Sequence, residues 1–576
     1  MVEDDEYELS NGDTPEQDIQ PSSGLTRSQA WNLYVSHALS TWNARGYEFA
    51  AILFTAAAFP DTLVAAAARM IIIYFAMILF SSSIGRWVDR SPNRLRTLLS
   101  TIVCNRGSVV VGSFFWLLIL SQEDVLPPPH PTEESGGAVF SLPSNRAVKA
   151  VGFALAVGCG IVERLSASGN LISMERDWVV TVAAPSGQQQ RYDLTHLNAA
   201  MRRIDLVCKL FAPIAVSAVI SAWGSARVGV LFTALTSLAS LPIEAVSARR
   251  VWKSSPSLQA PKPVPPPPPP PQNNNNNSNT APRSGSFVMV MARHLRQYLQ
   301  GFEMYFATPV WLPSVALALL HFNMMTWRAT FITSLINVGY SLNVITIART
   351  VGSVFEISST IVTPRGIAYL GRKTSQQKRR RGQVGAATAE EEDEAGVALI
   401  GEEEGGEGEG KGEDENEKER QTIVGLERFG LWGFTWQLLF TIPVVLAIWA
   451  IYPHSDPDPT TPTPQPPWGW SLALFAFLAL SRFGVWIFDL TTQQLTQTPS
   501  LVPAHRRSTF AGVEASVVNL FELLGAAAAV ALPATRQFPL LALASFGAVL
   551  AGWVMYVVWL RGRRGHLVHW EKIGWA

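Results

Sequence analysis

The chain has 576 residues, of which 48% are apolar and only 16% charged, with 19 tryptophans and 28 phenylalanines. That is too apolar and too poor in charge for an ordinary soluble protein. The formal net charge of zero conceals segregation: basic clusters sit beside apolar segments, which accounts for them without nucleic acid. No phosphate-binding Gly-rich loop, HExxH or nucleophile elbow occurs, so nothing points to an enzyme.

Residues 1–30 open with Glu3, Asp4, Asp5 and Glu6, and the first 24 hold no basic residue. A secretory signal or transit peptide would need basic residues and few acids; this stretch reads as a disordered acidic tail. Twelve apolar segments follow, at about 32–58, 61–85, 98–121, 147–171, 200–222, 227–246, 305–328, 335–363, 427–452, 468–493, 508–533 and 537–560. The last, Phe538 to Leu560, has no charge at all and is long enough to cross about 30 Å of hydrocarbon. Cys104, Cys159 and Cys208 all lie in apolar segments, so no disulfide framework is implied.

The expected fold is an all-α membrane protein of twelve transmembrane helices in two six-helix halves. The first half spans 31–246. A Pro/Asn-rich linker at 247–297 leads to helices 7 and 8 at 298–371. A charged insert at 372–424, whose stretch 389–420 is Glu/Gly/Lys-rich, is expected to be disordered; helices 9 to 12 (425–562) and a tail (563–576) complete the chain. Two six-helix halves around a polar loop are the layout of a transporter. Lys and Arg collect after helix 2 (Arg86, Arg90, Arg94, Arg96), after helix 6, after helix 8 and in the tail. Cytoplasmic loops carry such an excess, so both termini are expected to be cytoplasmic.

Charges inside the apolar segments are the candidate functional residues, because ionisable groups in hydrocarbon line substrate paths or pair with one another. Glu163 and Arg164 in helix 4 are expected to pair between helices. Asp205 in helix 5 lies four residues before Lys209 and three after Arg202. Residues so spaced share a helix face, so Asp205 either holds a cation or is answered by Lys209 or Arg202.

Gly85-Arg86-Trp87-Val88-Asp89-Arg90, with Arg94 and Arg96 beyond, resembles the cytoplasmic loop signature of the major facilitator superfamily. There Asp89 would bond a helix N-terminus or an arginine of the other half, with Arg90 beside it; an ordinary positive-inside loop is the alternative. A weaker echo runs from Gly366 to Gly371-Arg372-Lys373 after helix 8. Leu33-Tyr34, His37 through Trp42, Glu175 through Val180, Arg202 through Asp205, Trp486 through Thr491 and Gln494-Leu495 occur in that order. Together they resemble the ferroportin family of ferrous-iron exporters.

The resemblance implies a transition-metal site in each half. In the first, Asp205 matches the helix-5 aspartate. Ala44 stands for the helix-1 aspartate, with Asn43 beside it, and Glu48 for the histidine one turn later, which makes the site harder and all-oxygen. Glu244 matches a helix-6 acid linked to calcium. In the second half Arg328, Ala329 and Gly525 replace the family's aspartate, cysteine and histidine, so that site is read as absent. The peptide hormone hepcidin engages that cysteine, so no hepcidin-type partner is expected. Asp177, Asn198, Arg202, Arg482 and Asp489 match cytoplasmic-gate positions, with loop salt bridges that do no gating as the alternative. Lys209 stands where the family has an uncharged amide, and Glu522 matches a family aspartate; both are candidate coupling residues.

The function implied is export of Fe²⁺, or another divalent metal, from the cytosol by alternating access. The iron is substrate and no cofactor is implied; the protein is expected to be monomeric, with the metal ion and the lipid bilayer as its partners. Two alternatives stand beside this: a related transporter of something other than a transition metal, and a transport-inactive regulatory or scaffold membrane protein.

Overall fold

A chain crossing hydrocarbon has to satisfy its own backbone amides, and the computed structural model is accordingly almost wholly helical over the residues it describes. These are 25–59, 64–121, 143–183, 192–262, 287–393, 407–452 and 466–564. The acidic tail before Leu25, residues 263–286 of the Pro/Asn-rich linker and the residues after Arg564 lie outside them.

The first half contains α1 (Arg27–Ala58), α2 (Val64–Arg90), α3 (Arg94–Ser121), α4 (Pro143–Ile172), α5 (Val179–Val182), α6 (Leu194–Trp223), α7 (Ala226–Ser254) and the short α8 (Pro256–Gln259). A π-helical turn, Ser173–Trp178, runs from α4 into α5. The second half contains α9 (Phe287–Ala307), α10 (Trp311–Leu319), α11 (Ala329–Asn337), α12 (Leu342–Asp393), α13 (Glu407–Ile451), α14 (Trp468–Gln497), α15 (Arg507–Ala531) and α16 (Phe538–Arg564). Among the described residues ten helices are long and apolar enough to cross a membrane, and one bent pair makes an eleventh. α1 packs lengthwise on α6 and α7.

Local signals set several helix ends. Thr26 starts α1 with a capping box, its side chain accepting from the amide of Gln29 while the Gln29 side chain accepts from the amide of Thr26. Asp193 caps α6 by accepting from the amide of His196 at 2.8 Å. Gly224, at φ 61°, makes the left-handed turn into α7, a conformation that costs glycine nothing.

Within the first half α3 packs on α4 and α7, and in the second α13 packs on α12, α14 and α16. The largest contacts between the halves are α2 with α15 and α6 with α12. The two larger parts of the first-half core are Leu33, Leu98, Trp178 and Val251 where the chain enters α1, and Phe54, Trp116, Ile119 and Val230 at the opposite end. Phe75, Phe114, Leu235, Val354 and Leu472 remain exposed, the apolar surface that a multi-pass membrane protein turns to lipid.

Three expectations change. Helix 7, expected as one span over 305–328, is broken: Leu295–Ala307 and Trp311–Phe322 meet at 104°. Pro309 has no amide to continue α9, and its carbonyl accepts instead from the Trp559 indole at 2.6 Å. Helix 8, expected from residue 335, begins as α12 at Leu342 after Gly339, whose φ of 106° admits almost no other residue. The insert at 372–424 is largely helical, since α12 continues to Asp393 and α13 starts at Glu407. Its Ala, Glu, Lys and Gln are strong helix formers, and extending an existing helix avoids the cost of nucleation. Only 394–406 lies outside the described residues. The echo motif therefore lies inside α12, where Gly366 faces the Phe429 ring and Gly371 the backbone of Gln421. There the glycines allow α12 and α13 to approach closely.

Candidate functional site

The chain enters α1 and leaves α16 on one side of the molecule, the tail side, and on that side the halves are locked together. Asp89, at the end of α2, accepts from the amides of Ser508 at 3.0 Å and Thr509 at 2.6 Å and from the Thr509 hydroxyl at 2.6 Å. It thus caps α15 from the other half, where unpaired amides favour a carboxylate. Gly85 and Gly512 make this possible. A Cβ on Gly512 would stand 2.5 Å from the Ser81 carbonyl, and one on Gly85 would overlap the Ser508 carbonyl.

A second set of bonds lies deeper. Arg202 pairs with Asp489 at 2.7 Å and donates to Gln493 at 3.1 Å. Asn198 donates to Gln497 at 2.5 Å, and Gln497 donates to the Glu175 carbonyl at 2.8 Å. Arg176 pairs with Glu514 at 2.7 Å and donates to the Gln493 carbonyl at 3.1 Å and to the Thr496 hydroxyl. In every one of these bonds the partners lie on opposite halves.

Of the expected gate residues, Asp89, Asn198, Arg202 and Asp489 therefore sit in the lock. Asp177, Arg482 and Arg90 do not. Asp177 pairs with Arg94 at 2.8 Å and Lys262 at 2.6 Å, holding the linker to its own half. Arg482 pairs with Glu356 at 2.8 Å, tying α14 to α12 within the second half. Arg90 is exposed. The place expected of Asp177 belongs to its neighbour Arg176, because the π turn shifts the helical phase by one residue and points Arg176 across the interface.

Behind the lock lies Asp205, 8% exposed on α6. Its carboxylate is held by Arg45 of α1, through Nη2 at 2.8 and 3.1 Å and Nε at 3.0 Å. Arg202 stands 3.7 Å away. The other guanidinium nitrogen of Arg45 reaches Glu48 at 3.3 Å, and Glu48 meets Arg164 of α4 at 3.4 Å. The chain Asp205–Arg45–Glu48–Arg164 lines the first-half wall of a cleft. On the facing wall Glu522 pairs with Arg328 at 2.6 Å and contacts His321 at 3.2 Å, close enough for the charges of Glu48 and Glu522 to act on each other.

The four expected metal ligands are not brought together. Asp205 and Glu48 are joined through a guanidinium. Asn43 donates to Ser240 at 2.9 Å and accepts from Ser237 at 3.1 Å. Glu244 is fully buried and held by Arg106 at 2.5 Å. Among the described residues no group of three or more His, Cys, Asp or Glu side chains is placed to hold a metal ion. Lys209 does not take the i,i+4 partner its spacing offers. Its ammonium lies 5.2 Å from the centroid of the Trp486 ring, which Arg202 and Arg482 also approach, at 5.4 and 5.9 Å. A guanidinium fork matches both oxygens of a carboxylate, so Arg45 takes Asp205 and Lys209 turns to the indole face. The partners missed from sequence are Arg45, Arg106, Arg176 and Glu356. Arg45, Arg106 and Glu356 are each a charge inside an apolar stretch, the signal that marks the others, whereas Arg176 lies beyond the fourth stretch.

A family model described as Ferroportin1 (FPN1) matches residues 27–372 and 420–549. Ferroportin of the dog, Canis lupus familiaris, is 24% identical over 553 residues, spanning 91% of this chain and 90% of its own. Solute carrier family 40 member 1 of Arabidopsis thaliana is 24% identical over 564 residues, with 94% and 89% covered. Among solved structures, a bacterial homologue of the iron transporter ferroportin in its outward-facing state aligns with a TM-score of 0.63 at 19% identity, over 92% of this chain and 99% of that one. The major facilitator proton:xylose symporter XylE aligns at 0.51 and 8% identity, over 93% and 95%. These structural likenesses give the fold, that of the major facilitator superfamily.

Proposed function

This chain belongs to the ferroportin family, and on that premise we propose that it exports a divalent metal, iron foremost, from the cytosol by alternating access. It is a multi-pass membrane transporter and not an enzyme. The observation that carries the reading is on α6, where one helical turn bears both the lock and the site. Arg202 bridges to Asp489 of the other half at 2.7 Å and lies 3.7 Å from Asp205, the acid behind the lock. A cation arriving at Asp205 acts directly on the charge that closes the tail side. Intramembrane carboxylates of this kind mark ion pathways, and the two halves supply the rocking bodies.

The tail side is the cytoplasmic side in this reading, supported by Arg86, Arg90, Arg94, Arg96, Arg372, Arg563 and Arg564, the excess that cytoplasmic ends retain. In this reading the carrier is closed to the cytosol and its cleft faces the other side. Fe²⁺ is cargo and needs no resident cofactor. Ala329 in place of the family's cysteine supplies no thiol for a hepcidin-type peptide. A second reading, transport of something other than a transition metal, is favoured by the arginines on Asp205 and Glu522.

Flux of Fe²⁺ and Co²⁺ into proteoliposomes tests the proposal. Wild type should show saturable flux, and Asp205→Ala should fall to the level of empty vesicles. Folded wild-type protein with no flux above empty vesicles would remove the metal reading and leave the second.

A further inference from the structure

Nothing in the family resemblance or in the spacing of helix 1 assigns a role to Arg45, yet it is the only guanidinium forked onto Asp205 among the described residues. The side chains form a gradient of access. Counting side-chain atoms alone, Asp205 is 11% exposed, Arg45 30% and Glu48 45%. Anything approaching Asp205 from the open cleft reaches Arg45 first. Arg45 already has a second anchor, because its other nitrogen lies 3.3 Å from Glu48, one turn along the same helix.

We propose that Arg45 is a tethered counter-cation that occupies Asp205 in the empty carrier and yields it to the transported metal by moving wholly onto Glu48. The proposal rests on the metal-transport reading and names the residue that sets affinity within it. A dication and a guanidinium cannot share one carboxylate without strong repulsion, while a buried carboxylate left with neither is unstable. Exchanging one for the other keeps Asp205 paired in both states. The second half repeats the device, with Arg328 on Glu522 at 2.6 Å. Arg202 also lies near Asp205, at 3.7 Å, but its closer partner is Asp489, so it stays with the lock while Arg45 is free to shift.

Co²⁺ binding to purified full-length protein, measured by titration calorimetry beside a melting curve for each variant, tests this as a double-mutant cycle. Arg45→Gln should tighten binding about tenfold, one charge-assisted contact's worth of competition at 1.4 kcal/mol per decade. Arg45→Lys, which keeps the charge but loses the fork, should fall between, and it serves if the glutamine variant does not fold. Glu48→Gln alone should weaken binding by removing the place to which Arg45 retreats, and should have no effect once Arg45 is Gln. Binding that Arg45→Gln leaves unchanged or weakens overturns the proposal, as does a Glu48→Gln penalty that persists without Arg45, since Glu48 would then be a ligand. Absence of Co²⁺ binding in wild type and every variant overturns the transport reading itself, and the proposal with it.

Discussion

Gly85→Val is expected to abolish transport while leaving both halves folded. The atoms a side chain at position 85 would meet are the Ser508 carbonyl and the Gly512 backbone, all on α15 of the opposite half. No rotamer relieves a clash between a Cβ and backbone, so the overlap costs more than the roughly 1–3 kcal/mol of ordinary overpacking. Separating α2 from α15 on the tail side removes it. Doing so also breaks the Asp89 cap on α15. The closed state is therefore lost in favour of one open to the tail side, and a shift of about 3 kcal/mol already moves the population more than a hundredfold. Spin labels at the exposed positions Pro92 and Ala504, in a cysteine-free background, should report a longer and narrower distance than in the parent. An unchanged distance distribution together with normal flux would show that the glycine contact does not control closure.

Glu244→Ala is expected to be the most destabilising single substitution in the first half. Glu244 and Arg106 are 0% and 2% exposed in their side chains and stand 2.5 Å apart, and Arg106 also donates to Asn105. Removing the carboxylate strands a guanidinium in the helix bundle, a loss of about 3–5 kcal/mol. Replacing both partners, Arg106→Leu with Glu244→Leu, should recover most of that, because two apolar residues leave no orphaned charge. Thermal unfolding in detergent separates these cases. The pair also bears on the calcium role that the resemblance attaches to Glu244. If calcium raises the melting temperature of wild type but not of Glu244→Gln, the acid binds metal and Arg106 is its substitute in the empty state.

The helices are legible in the sequence because spanning segments are long and apolar, and Arg202 and Asp489 are legible as gate positions through the family resemblance, although their pairing with each other is not. What escapes does so for particular reasons. Arg176 is hidden by the π turn, which no 3.6-residue period anticipates. The break after Ala307 is signalled by Pro309 but masked by apolar residues on both sides. Spacing along one helix is visible in sequence and offers Lys209 to Asp205; the winning partner, Arg45, comes from another helix, and contacts between helices leave no trace in spacing. Extension of α12 and α13 into the charged insert escapes because low complexity does not by itself mean lack of structure: these residues favour helix once one has started.

Asp89 is 6% exposed and spends its charge on backbone amides. Surface ion pairs fade as electrolyte rises, over a screening length of about 8 Å at physiological strength; a carboxylate sealed against a helix terminus is shielded far less. The transporter's resting closure should therefore be indifferent to the ionic strength of the bathing solution. Flux compared between about 50 and 500 mM KCl should then change only through the metal's own encounter with the cleft, and the distance between labels at Pro92 and Ala504 should stay constant across that range.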